Sequence, residues 1–85
     1  IIGDYDARKR SHVATDRALR QATAVLQTPT QIDWIPTPTL EQNTAATLAP
    51  YDALWCSPGS PYDSMEGALK AIRYARENDV VFLGT

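Results

Sequence analysis

Eighty-five residues suffice for one small domain or a part of one. A hydrophobic content of 44% excludes a disordered chain, and no apolar run is long enough to span a membrane. The net charge of −2 argues against a dedicated nucleic-acid binder. The only cysteine, Cys56, excludes an internal disulfide and favours a reducing, cytoplasmic compartment. The only histidine, His12, cannot build a metal site alone, so none is expected.

The first third of the chain predicts a strand end, a polar loop and a long helix. Residues 1–2 are the end of an apolar strand, and residues 3–10 are polar. Ser11 is a plausible N-cap, and the apolar spacing predicts a helix from there to about Gln27. The proline at position 29 stops this helix. Its buried stripe is expected to be Ala14, Ala18, Leu19, Ala22, Val25 and Leu26.

The middle of the chain predicts two strands with a short helix between them. Residues 32–35 form a short apolar strand that a proline follows. Thr39 and Gln42 have capping-box spacing, which predicts a helix from there to about Leu48. The apolar run 53–56 predicts a buried strand.

The last part of the chain predicts a loop, a helix and a strand. Residues 57–62 carry two prolines and a glycine and are expected to form the loop. Asp63 is expected to cap the helix, with Glu66 as its capping-box partner. Residues 80–83 predict a strand buried on both faces. The buried stripe of the helix is expected to be Met65, Ala68, Leu69, Ile72 and Ala75.

Strands and helices thus alternate from one end of the chain to the other. This order predicts an α/β fold with a parallel sheet, right-handed crossovers and helices on both faces. In such sheets ligands bind at the carboxyl ends of the strands, where residues 3–10, residues 57–62 and whatever follows position 85 should meet. Since the chain begins and ends in apolar strands, we interpret residues 1–85 as a piece of a longer protein.

The stretch 57–61, Ser-Pro-Gly-Ser-Pro, is the best candidate for chemistry. Its two prolines stiffen the backbone on either side of Gly59, and glycine lets that backbone approach a ligand closely. A rigid loop with an outward N–H is what an oxyanion hole requires. The alternative is a simple Pro-Gly turn that joins a strand to a helix, and spacing alone favours it.

Four short motifs follow one another in the second half of the chain. They are Cys-Ser-Pro-Gly-Ser-Pro-Tyr at 56–62, Glu-Gly at 66–67, Ala-Ile-Arg-Tyr-Ala-Arg-Glu-Asn at 71–78 and Phe-Leu-Gly at 82–84. Together they resemble the glutamine amidotransferase domain of CTP synthases, a class I (triad) amidotransferase. The likeness is close over 56–85, weaker over 1–26 and architectural only over 28–50. It implies a flavodoxin-like, three-layer α/β/α fold with a parallel sheet, of which residues 1–85 are the N-terminal part of a single domain.

The resemblance also implies roles for individual residues. Gly59 matches the glycine whose backbone N–H forms half of the oxyanion hole, and Ser60 stands where a second glycine lines the glutamine pocket. Gly84 matches the glycine before the nucleophile elbow, and Thr85 takes the place of the residue just before the nucleophilic Cys. The Cys, His and Glu of the triad would then lie beyond Thr85, so the 85 residues alone should have no activity.

The implied reaction is hydrolysis of L-glutamine to glutamate and ammonia, which needs no cofactor. A synthetase domain or subunit would accept the ammonia for a CTP synthase-type amination in pyrimidine biosynthesis, and neither nucleic acid nor membrane is an expected partner. Two departures, Ser60 for a glycine and Pro61-Tyr62 for a Phe-Gly pair, suggest a shorter, stand-alone relative.

The remaining polar and aromatic residues are expected to have structural roles. Cys56 is interpreted as core packing, and His12 as a surface or capping residue. The acidic residues near the carboxyl edge are expected in caps and turns, with substrate contact as the alternative: Asp4, Asp6 and Asp63. The basic cluster at 8–10 is interpreted as a solvated segment, with an anion contact as the alternative. The aromatic residues expected in the core or at its rim are Trp34, Trp55, Tyr51 and Tyr74.

Two other functions remain open from the sequence. An amidotransferase-like fold that lacks its nucleophile would be a binding or regulatory module, and the residue after Thr85 would discriminate the two. A flavodoxin-like nucleotide binder is disfavoured, because residues 3–6, Gly-Asp-Tyr-Asp, are acidic and contain no glycine-rich phosphate loop.

Overall fold

The computed structural model describes residues 1–57 and 62–84. Its regular elements are α1 (Arg10–Val25), a 3₁₀ helix (Thr37–Leu40), α2 (Thr44–Leu48), β1 (Ala53–Cys56), α3 (Met65–Glu77) and β2 (Val81–Gly84). In these two ranges no helix has the length and apolar character needed to cross a bilayer. The chain is a small α/β structure, as the alternating pattern predicted.

The sheet is parallel and places the start of the chain beside β1. β1 and β2 pair in parallel with Cys56 opposite Gly84. On the other side of β1, Ile2 forms parallel bridges to both Cys56 and Ile35. The strands predicted at 1–2 and 32–35 are therefore single bridges. The next ladder bond would need Thr37 N, which instead donates to Asp4 Oδ1 at 2.7 Å where the 3₁₀ helix begins, so the pairing ends at Ile35.

The hydrophobic core lies on the face of the sheet that α3 covers. The buried core residues are Ile2, Leu40, Leu48, Leu54, Cys56, Ala71 and Ala75. α3 packs very closely against the 3₁₀ helix, because a Cβ on Gly67 would overlap the backbone carbonyl oxygen of Thr37. Small residues on this face of α3 make that approach possible.

The predicted buried stripe of α3 is wrong for its large residues. Ala68 and Ala75 are buried as expected, but Met65, Leu69 and Ile72 are exposed. The helix lies too close to the 3₁₀ helix to accommodate long side chains between them. Its large apolar residues therefore lie on the outer face.

The stripe predicted for α1 is also mostly exposed. Val25 is 81% exposed and Leu26 is exposed as well, whereas Leu19 is half-buried. Leu19 lies with Ile1 and Trp55 along an apolar groove of about 280 Å³ on the face of the sheet opposite α3. The fully buried residue of α1 is instead the polar His12.

The ends of α1 also differ from the prediction. The helix begins at Arg10, and Lys9 occupies the N-cap without a side-chain hydrogen bond, so Ser11 is not the cap. At the other end Gln27 is left-handed with φ 54°. Thr28 N then donates to the carbonyl oxygen of Thr23 at 3.1 Å, so a Schellman motif ends the helix before the proline does.

Both predicted capping boxes are wrong. Thr39 lies inside the 3₁₀ helix, and α2 begins only after Asn43, whose φ of 59° is left-handed. For α3 the N-cap is Ser64, whose Oγ accepts from Gly67 N at 3.0 Å, and not Asp63. A serine at this position reaches the first turn of the helix directly, which leaves the carboxylate before it free for other contacts.

Among the residues that the structure describes, only one face of β2 is covered by other side chains. Phe82 packs against the core, but Val81 is 72% exposed and Leu83 is also exposed. The prediction of a strand buried on both faces is therefore wrong for the described chain. The α/β class and the parallel strand direction are confirmed, and the three-layer, flavodoxin-like architecture stays a prediction.

Candidate functional site

Two of the three loops predicted at the carboxyl edge meet there. Gly3 follows the bridge residue Ile2, and Ser57 follows β1, whose last residue lies opposite Gly84. The backbone N–H of Asp63 donates to Asp4 Oδ2 at 2.9 Å and so links the first loop to the far end of the second. The third expected loop follows Gly84 and lies outside the described residues.

A cleft of about 620 Å³ opens between these loops. Its walls come from residues 4–9, His12, Pro36, Tyr62 and Asp63. It lies where a parallel sheet presents its ligand sites, since the strand ends and their loops converge at this edge. This cleft is the candidate site that the described residues form.

Asp4 is the structural centre of this edge. Its Oδ1 accepts from Thr37 N at 2.7 Å, and its Oδ2 accepts from Thr37 Oγ1 at 2.8 Å and from Asp63 N at 2.9 Å. Thr37 Oγ1 in turn accepts from Ser64 N at 2.8 Å. Carboxylates satisfied by several donors have little capacity left for a ligand. This favours the structural role expected for Asp4 over the alternative of substrate contact.

His12 is not at the surface, because it is only 3% exposed. Its Nδ1 accepts the backbone N–H of Asp6 at 3.0 Å, so it caps the first loop. Its ring lies 6.1 Å from the Tyr5 ring and 5.3 Å from the Trp34 ring, centroid to centroid. Because Nδ1 is an acceptor, the neutral imidazole carries its proton on Nε2. His12 thus connects the first loop, which forms one wall of the cleft, to Trp34.

The basic segment at the rim of the cleft is solvated. Arg8 donates from Nε to Asp6 Oδ1 and from Nη2 to Asp6 Oδ2, both at 3.0 Å, while its side chain is 91% exposed. These hydrogen bonds lower the pKa of Asp6 to about 2. Lys9 and Arg10 are also exposed. The solvated reading is confirmed, and the anion contact stays an untested alternative.

Tyr62 lines the cleft and contacts the residue at the start of the second loop. Its hydroxyl donates to the carbonyl oxygen of Ser57 at 2.7 Å and lies 3.4 Å from Cys56 Sγ. Burial raises the pKa of Tyr62 to about 12, and the contact with Cys56 adds to the effect. The hydroxyl therefore stays protonated and remains a donor at neutral pH.

Cys56, the last residue of β1, and Ser57, which follows it, are both buried. Cys56 is buried in the core, as predicted. Ser57 is fully buried, and its Oγ has no hydrogen-bond partner among residues 1–57 and 62–84. Gly3 leaves room for this side chain, because a Cβ on Gly3 would overlap Ser57 Oγ. The end of the central strand is thus tightly packed against the first loop.

The residues that carry the catalytic prediction cannot be placed. Gly59 and Ser60, the predicted oxyanion and glutamine-pocket residues, and Thr85 lie outside the described residues. Gly84 ends β2 at the same edge as Ser57. Within the described part of the chain no group of histidine, cysteine and carboxylate side chains is arranged to hold a metal ion.

Sequence reasoning missed the role of Tyr62 and the burial of His12, although a capping role for His12 was one of the two that it expected. A tyrosine beside a proline-rich loop and just before a helix N-cap is a usable signal, because a half-buried tyrosine ring usually finds a partner for its hydroxyl. For His12 the signal was weaker, since helical spacing alone assigned the buried face to alanines and leucines. His12 is buried against this pattern because its imidazole accepts a hydrogen bond from the backbone N–H of the first loop.

The chain is similar to CTP synthases along nearly its whole length. It is 33% identical over 85 residues to the enzyme of Campylobacter jejuni subsp. doylei and 33% identical over 84 residues to that of Pyrococcus furiosus. Identity to the CTP synthase of Sulfurisphaera tokodaii is 34% over 86 residues. Each match covers 99% of this chain but only 16% of the relative. No protein-family model and no solved structure matches the chain. The chain is therefore distantly similar to a small part of CTP synthases.

Proposed function

We propose that this chain is the N-terminal part of a class I glutamine amidotransferase domain, which hydrolyses L-glutamine to glutamate and ammonia. The observation that carries the proposal is the similarity to CTP synthases over 99% of the chain. The carboxyl edge of the parallel sheet supports it, because the ends of β1 and β2 lie side by side where the oxyanion loop and the nucleophile elbow would be needed.

The proposed chemistry is nucleophilic. A cysteine thiolate that follows Thr85 attacks the amide carbon of glutamine, and a downstream His–Glu pair activates it. The N–H of Gly59 and the N–H of the residue after the cysteine stabilise the oxyanion that forms. Ammonia leaves, and water hydrolyses the thioester to glutamate. A synthetase domain or subunit would use the ammonia to aminate a UTP-type acceptor.

The test is the Gly59→Pro substitution in the full-length protein, with glutamate release from glutamine as the assay. Proline has no N–H, so the substitution removes the proposed donor. Loss of one oxyanion donor costs about 100- to 1,000-fold in kcat. A thermal melt of the variant separates this loss from unfolding. An unchanged turnover in the folded variant would mean that the loop is only a turn.

The residue after Thr85 discriminates the enzyme from a non-catalytic binding or regulatory module. Intact mass and peptide sequencing of the full-length protein identify it. A cysteine there supports the glutaminase. Any other residue would leave the fold without its nucleophile. The proposal would then be a non-catalytic binding or regulatory module. For the same reason, glutamate release by the 85-residue chain alone above a protein-free blank would contradict the assignment of the triad to later residues.

A further inference from the structure

His12 is the buried residue of α1 that the proposed chemistry does not use. It is 3% exposed, it lines the cleft, and its Nδ1 accepts the backbone N–H of Asp6 at 3.0 Å. The first loop and the helix therefore meet at an imidazole nitrogen that carries no proton. Only the neutral ring offers this acceptor, because both nitrogens of an imidazolium are donors.

The hydrogen bond to His12 connects a turn of the first loop to α1. This turn is closed internally, since Lys9 N donates to the carbonyl oxygen of Asp6 at 2.9 Å and Arg8 N donates to Asp6 Oδ1 at 2.9 Å. Among the described residues, the contact with His12 is the hydrogen bond that joins residues 6–8 to the fold beyond Lys9. The place of this turn against the helix thus depends on His12.

The carboxylates on the elements that carry and contact His12 are engaged by other donors. Asp6 is paired with Arg8 through two hydrogen bonds of 3.0 Å. Asp16, one turn further along α1, accepts from Trp34 Nε1 at 3.0 Å and pairs with the arginine four residues on. In the described part of the chain no hydrogen bond joins His12 to a carboxylate.

The groups across the cleft do not supply a bonded counter-ion either. Asp4 accepts from Thr37 N at 2.7 Å and from Asp63 N at 2.9 Å. The carboxylate of Asp63 is on an exposed residue. A proton on His12 would therefore place a charge in a buried position without a paired carboxylate, which is unfavourable. The other titratable residues that line the cleft are Tyr5, Lys9 and Tyr62.

We propose that His12 makes the wall of the cleft sensitive to pH. With neutral His12, Nδ1 holds the turn 6–8 against α1. With protonated His12, an Nδ1–H faces the Asp6 N–H, so the hydrogen bond is lost and the turn separates from the helix. Histidine is the side chain that changes charge near physiological pH, which makes this contact responsive to modest acidification. The inference goes beyond the proposed glutaminase, because it concerns the cleft whatever molecule binds there.

The test is NMR spectroscopy of the full-length protein from about pH 8 down to about pH 5. The ring Cε1–H resonance of His12 reports its protonation, and the amide of Asp6 reports the contact. We expect the Asp6 amide proton to move upfield in step with the ring. Because hydrogen bonds from Arg8 lower the pKa of Asp6 to about 2, its own carboxyl stays ionised and does not cause the change.

Two variants separate the acceptor from the charge. In His12→Asn the Oδ1 atom takes the place of Nδ1 in the side chain and accepts a hydrogen bond without titrating, so the Asp6 amide should not respond to pH in this range. His12→Phe keeps an aromatic ring but has no acceptor, so this amide should exchange with solvent about three- to tenfold faster than in His12→Asn at every pH. The wild type should follow His12→Asn near pH 8 and His12→Phe near pH 5.

The amide of Thr37 is the internal control. Its acceptor is Asp4 Oδ1 at the same edge, so it should not follow the His12 ring. An Asp6 amide that stays unchanged while the ring titrates would overturn the proposal, as would a ring that stays neutral until the whole protein unfolds. The same pH response in His12→Asn as in the wild type would assign the effect to another group. Should either variant fail to fold, the wild-type titration decides alone.

Discussion

Gly67 is the residue whose missing side chain brings α3 against the 3₁₀ helix. Replacing it with alanine should improve helix propensity by about 1 kcal/mol. The added Cβ, however, would overlap the carbonyl oxygen of Thr37, which is backbone and cannot rotate away. Overpacking costs about 1–3 kcal/mol, and a clash with a backbone atom belongs at the upper end of that range. After the gain in propensity is subtracted, we expect Gly67→Ala to lower the free energy of unfolding by about 1–2 kcal/mol in urea denaturation.

Gly84→Ala is the control for this substitution. A Cβ on Gly84 would lie 3.4 Å from an atom of the Phe82 ring, which is ordinary contact with a side chain that can adjust. We expect its free energy of unfolding to change by less than about 1 kcal/mol. If Gly67→Ala were as stable as Gly84→Ala, the close approach of α3 to Thr37 would be wrong.

The ion pair at the rim of the cleft makes a prediction about pH. Hydrogen bonds from Arg8 lower the pKa of Asp6 from 3.8 to about 2. A lowered pKa means that the contribution of this pair to stability is complete above about pH 4 and is lost as the pH falls towards about 2. In Arg8→Gln the pKa of Asp6, followed by NMR of its carboxyl carbon, should rise towards 3.8.

Arg10→Gln serves as the control because it removes an exposed cation of the same kind from the same segment. Hydrogen bonds from Arg8 cause the largest part of the shift, so this variant should leave the pKa of Asp6 near its low value. The pairing of Arg8 with Asp6 would be refuted by a pKa that stays low in Arg8→Gln.

The start of α3 distinguishes two assignments of the cap. Ser64 Oγ accepts from Gly67 N at 3.0 Å and donates to Glu41 Oε1 at 2.6 Å, and Ser64 is buried. Its replacement by alanine would leave both partners unpaired, so Ser64→Ala should lower the free energy of unfolding by about 1–2 kcal/mol. Thermal or urea denaturation measures this difference.

Asp63→Ala is the corresponding variant at the residue that the sequence favoured. Asp63 is exposed, and its backbone N–H, which alanine retains, makes the contact with Asp4. We expect a change within about 0.5 kcal/mol. The reverse order of the two effects would restore Asp63 as the cap.

At this scale the sequence predicts the existence of elements better than their faces. The patterns that predicted α1, α3, β1 and β2 each correspond to an observed element, because periodicity and breakers are local properties. Which side of a helix is buried depends on how close its partner lies. In α3, the small residues Gly67 and Ala71 allow close contact with the 3₁₀ helix and the core. Leu69 therefore lies on the exposed face, although the hydrophobic pattern predicted that it would be buried.

For the whole molecule, the parallel sheet and the loops at its carboxyl edge could be predicted, since strand–helix alternation has few topological solutions. The hydrogen bond between Tyr62 and Ser57 could not be predicted, and neither could the hydrogen bonds that Asp4 accepts at this edge. Both are contacts between a side chain and a backbone group, which hydrophobic patterns do not encode. Tyr62 reaches back five residues to Ser57, and the contact between Asp4 and Asp63 spans 59 residues. The catalytic prediction concerns Gly59 and Ser60, which lie outside the described residues.

The exposed side of β2 makes a prediction about the 85-residue chain prepared by itself. β2 pairs with β1 on one side, and no partner strand lies on its other side among the described residues. Val81, 72% exposed, adds apolar surface to that edge. Exposed apolar edge strands promote association between chains. We expect concentration-dependent association in sedimentation equilibrium, reduced by Val81→Lys, because a charge on an edge strand opposes pairing with a second copy.

Val25→Lys tests whether the edge strand or general hydrophobicity drives this association. Val25 is 81% exposed, slightly more than Val81, but lies at the end of α1, where no strand edge is available. If pairing along β2 is the cause, only Val81→Lys should shift the equilibrium towards monomer. Equal shifts in the two variants would instead indicate nonspecific apolar contact, and a monomeric wild type at high concentration would show that this edge is already protected.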